Sequence, residues 1–244
     1  MRLIRVKDYA AMSDEAFAIV YERMSANPKL TLGLATGSTP VGLYERLVSA
    51  VRTGKLSFRE ARSFNLDEYV GLAPDHPQSY AYFMREHLFD HIDLPAGRWD
   101  IPSGIAPDLD EECARYEAAI EAAGGIDLQI LGIGPNGHIG FNEPGTPLES
   151  RTHVVELTES TRRANARFFD LPEEVPTHAI TIGLGTILRA REIVLLASGE
   201  SKAEAMARLL ALRDFDPDLP ASVLHHHPEV WVIADEAALS RVRR

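Results

Sequence analysis

Asp127-Leu-Gln-Ile-Leu-Gly-Ile-Gly-Pro-Asn-Gly-His-Ile-Gly-Phe-Asn-Glu-Pro-Gly145 is the stretch that decides how this chain is read. Its first five residues form a short apolar run of strand type. The run empties into a segment with five glycines that places Asn136, His138, Asn142 and Glu143 within eight positions. In open α/β sheets, ligands bind beyond the carboxyl ends of the strands, so chemistry is expected here. Glycines at this density imply unusual backbone angles or a backbone that closely approaches a ligand, whereas a bland surface turn needs only one or two. The letters Gly132-x-Gly134-x-x-Gly137 also match a dinucleotide fingerprint, but that fingerprint must open a helix facing a pyrophosphate. Here the chain runs on without helical periodicity and is closed by Pro144, so nicotinamide binding is rejected.

Working outward, strand-like runs recur at 30–35, 61–66, 127–133, 178–182, 192–197 and 229–234. Those at 193–197 and 230–234 are apolar almost throughout, as strands buried on both faces of a parallel sheet are. Between them lie segments of helical period. One starts at Asp14 with Phe17, Val20, Tyr21 and Met24 on a face. Another carries Cys113, Tyr116, Ala119 and Ile120 and ends at Gly124-Gly125. With no repeat, linker or low-complexity tract, residues 1–244 read as a single domain. Its expected architecture is an α/β, three-layer, doubly wound sandwich with a mostly parallel, Rossmann-like sheet.

Composition narrows the function. The chain has 244 residues, 45% hydrophobic, with 25 basic against 36 acidic residues and a net charge of −11. That balance disfavours nucleic acid and anionic membranes as partners, while leaving room for a small phosphorylated ligand. The single Cys113 forms no internal disulfide, and no metal-type cysteine spacing exists. No apolar run reaches membrane-spanning length, and the N-terminus lacks a signal-peptide hydrophobic region. The expected location is the cytoplasm.

Leu30-Thr-Leu-Gly-Leu-Ala-Thr-Gly-Ser-Thr-Pro40 reads as a strand, a small-residue turn and a helix with Thr39 as N-cap and Pro40 at the first helical position. Its free amides, with Thr36, Gly37, Ser38 and Thr39, form a candidate anion site. Lys202, after the strand at 192–197, and Arg167, in a polar segment, are the cations that would complete it. Asp67 and Glu68 follow the second strand. Asp67 is positioned for a general base, and Glu68 is expected to be its solvated neighbour. Tyr80, Phe83, Met84 and Leu88 recur at helical spacing and read as core. His225-His226-His227 are three consecutive histidines that cannot easily converge on one ion, so no metal is assigned to them and a loop before the last strand is expected.

Together these segments resemble glucosamine-6-phosphate deaminases. The resemblance runs in order over nearly the whole chain: Leu34-Ala-Thr-Gly-Ser-Thr-Pro40, Phe64-Asn-Leu-Asp-Glu-Tyr-Val-Gly-Leu72, His76-Pro-Gln-Ser-Tyr80, Gly137-His-Ile-Gly-Phe-Asn-Glu-Pro144, Ser150-Arg-Thr152, Thr161-Arg-Arg-Ala-Asn-Ala-Arg-Phe-Phe169 and Ser198-Gly-Glu-Ser-Lys-Ala203. It implies conversion of glucosamine 6-phosphate and water to fructose 6-phosphate and ammonia without metal or organic cofactor. His138 would handle the proton transfers of ring opening, with Asn136 and Glu143 orienting it. Asp67 would shuttle a proton between C2 and C1. Thr36–Thr39, Arg167 and Lys202 would hold the phosphate, and residues 153–180 would form an active-site lid.

Imidazole suits proton exchange near neutral pH, and a lid would keep water from an enolamine. Some members carry Asp where this chain has Asn136, which leaves Glu143 as the only charged partner of His138 and implies a shifted pH profile. The related 6-phosphogluconolactonases are the alternative, although hydrolysis has no use for a carbon base. A non-catalytic sugar-phosphate sensor would need a DNA-binding module for which the chain has neither room nor a basic patch. Regulated hexameric members carry basic residues where this chain has His153 and Val155, and a longer tail beyond the position of Arg244. The expectation is therefore a monomer with hyperbolic kinetics.

Overall fold

The computed structural model describes residues 1–166, 169, 171 and 174–242, leaving aside the side chains of Ser160 and Ala164. The chain runs β1 (Arg2–Val6), α1 (Tyr9–Ala26), β2 (Thr31–Leu34), α2 (Val41–Arg52), β3 (Arg62–Asn65), β4 (Asp67–Tyr69), α3 (Tyr80–His87), β5 (Trp99–Asp100), α4 (Leu109–Ala122) and β6 (Leu128–Gly132). It continues through β7 (His153–Glu156), α5 (Glu159–Asn165), β8 (His178–Thr181), α6 (Leu184–Leu188), β9 (Glu192–Ala197), α7 (Ala203–Ala211) and β10 (Val230–Asp235). Seven strands form one parallel sheet in the order β1-β10-β9-β6-β2-β3-β5.

Alternation along the central strands explains the three layers. Leu128 and Ile130 of β6, with Val194 and Leu196 of β9, pack on α1, α2 and α3. Leu131, Ile193 and Leu195 face the other way, against α4, α6 and α7. Both faces are therefore dry, as expected for a parallel sheet with helices on each side. The strand order reverses between β2 and β6. Chain leaving the carboxyl ends of these two strands lines the crevice where open α/β sheets bind ligands.

Several boundaries differ from the sequence reading. The 178–182 run is not in the main sheet. As β8 it pairs antiparallel with β4 and β7 in a separate three-stranded sheet. β1 was unread because its arginines break the apolar run; it adds to the sheet edge beside β10. α1 begins at Tyr9 rather than Asp14, because Asp8 caps it by accepting the Ala11 amide at 2.9 Å. The buried face of α1 is Met12, Ala16, Ile19, Val20 and Met24, while Tyr21 is exposed.

α2 starts at Val41, after Pro40, and Thr39 makes no side-chain cap. A residue from α1 takes that role: the Tyr9 hydroxyl accepts the Gly42 amide at 2.8 Å and donates to the Ser38 carbonyl at 2.9 Å. The three consecutive histidines fall in a 3₁₀ segment, Pro220–His226, and its end rather than an open loop. They point to three separate partners, the Leu209 carbonyl, Asp214 and the Ala190 carbonyl. Among the described residues, no helix is long and apolar enough to cross a membrane.

Candidate active site

A cavity of about 570 Å³ opens at the switch point, and the loops after β2, β3, β6 and β9 converge on it. Thr36, Gly37, Ser38 and Thr39 line one end, with Ser201 and Lys202. Asp67 and His138 also line it, so carboxyl, imidazole and the Thr36–Thr39 loop share one chamber. Asn136 and Glu143 are absent from the lining; they stand behind His138. Arg167 lies outside the described residues.

The hydrogen bonds behind His138 fix its tautomer. A carboxylate oxygen accepts, so the Asn136 amide nitrogen donates to Glu143 Oε2 at 2.7 Å. The Asn136 carbonyl oxygen is thereby turned to His138 Nδ1 at 2.6 Å and also accepts the His138 backbone amide at 3.2 Å. Nδ1 must then carry the proton, leaving the Nε2 lone pair available for chemistry. Burial lowers the His138 pKa; Glu143, with an oxygen 3.8 Å from Nδ1, opposes this and Lys202 adds to it. A neutral imidazole results, ready to accept a proton.

Two glycines are required by this arrangement. A Cβ on Gly134 would lie 2.1 Å from His138 Cε1, so the ring packs directly on the bare backbone. Gly137 has φ +84°, in the left-handed region, and a Cβ there would meet Leu219 Cδ1 at 2.2 Å. Asn142 does not enter the cavity. Its Nδ2 pins the loop by donating to the carbonyls of Ile139 (3.0 Å) and Ile182 (2.8 Å).

Asp67 begins β4 and is 5% exposed. Burial, then the charge of Glu68, push its carboxyl well above the ordinary value. The expectation of a solvated Glu68 is overturned. Glu68 is buried and accepts the amides of Tyr69 (2.8 Å), Tyr80 (2.9 Å) and Ala81 (2.9 Å). Burial raises it to about 7 against the pull of those three donors. Tyr80 and Phe83, read as core, line the cavity instead, while Met84 and Leu88 are buried. The helical stripe was real, but its N-terminal end overhangs the crevice.

The segment read as a lid holds β7 and α5, and of these α5 brings Thr161 and Asn165 to the cavity. Thr158 caps α5 through the Thr161 amide. Both hydroxyls donate to Glu143 Oε1, Thr158 at 3.2 Å and Thr161 in a shorter bond. Farther along α5, the Asn165 amide donates to the Tyr69 hydroxyl at 2.8 Å. Tyr69 in turn packs against Tyr80, Phe141 and Phe169. The sequence reading missed Thr158, Thr161 and Tyr69. Only the Thr-x-x-Thr spacing of a helix start carried a signal.

An α/β enzyme with a neutral imidazole and a buried carboxyl lining one cavity at the switch point is the class this fold and site define. The chain belongs to the family of glucosamine-6-phosphate isomerases and 6-phosphogluconolactonases, whose model matches residues 7–232. It is 54% identical over 240 residues to a glucosamine-6-phosphate deaminase of Shouchella clausii, covering 98% of this chain and 97% of that one. It superposes on a solved monomeric glucosamine-6-phosphate deaminase with a TM-score of 0.97 at 47% identity, over 99% of this chain and 100% of the other. A 6-phosphogluconolactonase from Thermotoga maritima shares the fold with a TM-score of 0.76 at 22% identity, over 96% and 98% of the two chains.

Proposed function

We propose that this protein is a glucosamine-6-phosphate deaminase, acting as a cytoplasmic monomer on a free sugar phosphate. The observation carrying this reading is the buried Asp67 carboxyl lining the same chamber as His138. A hydrolase acting on a lactone has no role for such a base, whereas an aldose–ketose isomerisation requires one. The substrate phosphate binds at Thr36–Thr39 with Lys202 and Arg167, which sets the sugar's C1–C2 end toward Asp67.

The residues then act in sequence. His138 Nε2 takes the proton of the C1 hydroxyl and returns one to the ring oxygen, opening the pyranose to an aldehyde. The bond from His138 Nδ1 to Asn136, itself held by Glu143, steadies the imidazolium formed on the way. Asp67 removes the C2 proton as O1 takes one from the substrate's own ammonium group, giving an enolamine. The same carboxylic acid then protonates C1 on the same face, leaving a 2-imine. Water adds to C2, ammonia departs, and fructose 6-phosphate remains. The aromatic wall of Tyr69, Tyr80 and Phe141 shields the enolamine from solvent.

Substrate deuterated at C2 tests the carbon-base role. Deuterium should appear at C1 of the product in part, the remainder exchanging with solvent. Asp67→Asn should abolish the transfer and lower turnover by about 10²–10⁴. Normal turnover by Asp67→Asn would refute the assignment.

A further inference from the structure

Glu68 is a buried carboxylate that the reaction just derived does not use. It is 2% exposed, and no ion pair to it is found among the described residues. Among the described residues, its hydrogen-bond partners are backbone amides. Tyr69 on its own strand gives one, and Tyr80 and Ala81, the first two residues of α3, give the others. Ser79 caps the Tyr82 amide, so Glu68 and Ser79 together satisfy the opening turn of that helix. Adjacent strand residues point to opposite faces, which sends Asp67 to the cavity and Glu68 to α3.

An ordinary carboxylate is a weak base toward a carbon acid. A neighbouring negative charge strengthens it, and a cation pairing with that neighbour would cancel the benefit. Amide donors differ from a cation because they hold the carboxylate without carrying a net charge. We propose that Glu68 is a positioning residue for the carbon base: its negative charge, anchored on the first turn of α3, strengthens Asp67 as a proton acceptor, while its hydrogen bonds hold Tyr80 at the cavity wall. The inference rests on Asp67 being the base.

The titratable groups around the pair are the phenols of Tyr69, Tyr80 and Tyr116, each shifted upward chiefly by burial and to a smaller extent by the Asp67 charge, with His138 and Lys202 lining the same chamber. None of the phenols supplies a cation. The upward shift of Asp67, with Glu68 as its second cause, agrees with the geometry.

The test is the pH dependence of kcat for Glu68→Gln, with Asp67→Asn measured beside it. Glu68→Gln should lower kcat about tenfold, short of the ~10²–10⁴ lost with the base itself, with KM within about twofold. Its acid limb should move to lower pH, because Asp67 without its charged neighbour ionises more readily. A helix-anchoring role alone would cut the rate at every pH and leave the limb in place, and that outcome overturns the inference, as does an unchanged kcat. If Asp67→Asn is active, the base assignment itself falls; if it is inactive while Glu68→Gln behaves as wild type, only the role of Glu68 falls. Should the Gln variant not fold, carbon-13 NMR of the wild-type Asp67 carboxyl decides. A two-step titration coupled to Glu68 supports the inference, and a single step overturns it.

Discussion

Thr161→Val removes one hydroxyl from α5 and leaves shape almost unchanged, so it isolates what that hydroxyl contributes through Glu143. Thr161 is 5% exposed and its hydroxyl donates to Glu143 Oε1, the oxygen that Asn136 does not use. A hydrogen bond to a charged group contributes about 1.5–3 kcal/mol. The loss should fall at the lower end, because Thr158 can compensate. Its hydroxyl lies 3.2 Å from the same oxygen and 3.0 Å from Thr161 Oγ1. One hydrogen cannot serve both strongly, and without the Thr161 oxygen it turns to Glu143. A net loss of about 1.5 kcal/mol in transition-state stabilisation corresponds to about tenfold in kcat/KM. Ammonia release from glucosamine 6-phosphate gives the rate, and thermal unfolding shows whether the fold survives. A variant with more than half of wild-type kcat/KM would refute the coupling of α5 to His138 through Glu143 and Asn136.

The other predictions probe separate parts of the site and its support. Gly134→Ala places a methyl 2.1 Å from His138 Cε1; turnover should fall by about 10²-fold, as an ångström of misplacement can cost, with little change in melting temperature. Lys202→Ala should raise KM for glucosamine 6-phosphate at least about tenfold, since contacts to phosphate are charge-assisted, and unphosphorylated glucosamine should react poorly with either enzyme. Glu117, buried between α4, β7 and α6, accepts from Thr152, Thr186, Arg151 and Arg189, and its hydrogen bonds outweigh burial to hold its carboxyl below the ordinary 4.5. Its stabilisation is therefore full above pH 4.5 and is lost as pH falls through the lowered value. Glu117→Ala should cost about 3 kcal/mol in urea unfolding at pH 7, and the gap to wild type should shrink below pH 4.5. N-acetylglucosamine 6-phosphate should leave the rate curve hyperbolic and unactivated, because the positions basic in regulated relatives are filled by His153, bonded to the Arg151 carbonyl, and by Val155, packed beside Leu157 and Tyr69.

What was legible in the sequence followed local rules. The β2 and β6 runs, their glycine-bearing loops and the carboxylate after β3 could be read because strand period and turn chemistry are short-range. Glu68 was misread because alternation says only that it points away from Asp67, not that the first turn of α3, twelve residues on, covers it. The 178–182 run looked like any buried strand. Only pairing with β4 and β7 reveals that it belongs to the small sheet carrying Asp67. The same holds for Tyr9, which takes the Gly42 amide from a helix 33 residues upstream. Contacts between distant segments leave no periodic trace in a single sequence.

The central claim is a buried carbon base lining one cavity with a neutral imidazole, working on an amino-sugar phosphate. It is tested most directly by offering the purified protein glucosamine 6-phosphate and 6-phosphogluconolactone in parallel. Ammonia and fructose 6-phosphate should appear in equal amounts from the amino sugar, with no acceleration of lactone hydrolysis. Rapid opening of the lactone without release of ammonia from the amino sugar would contradict the account.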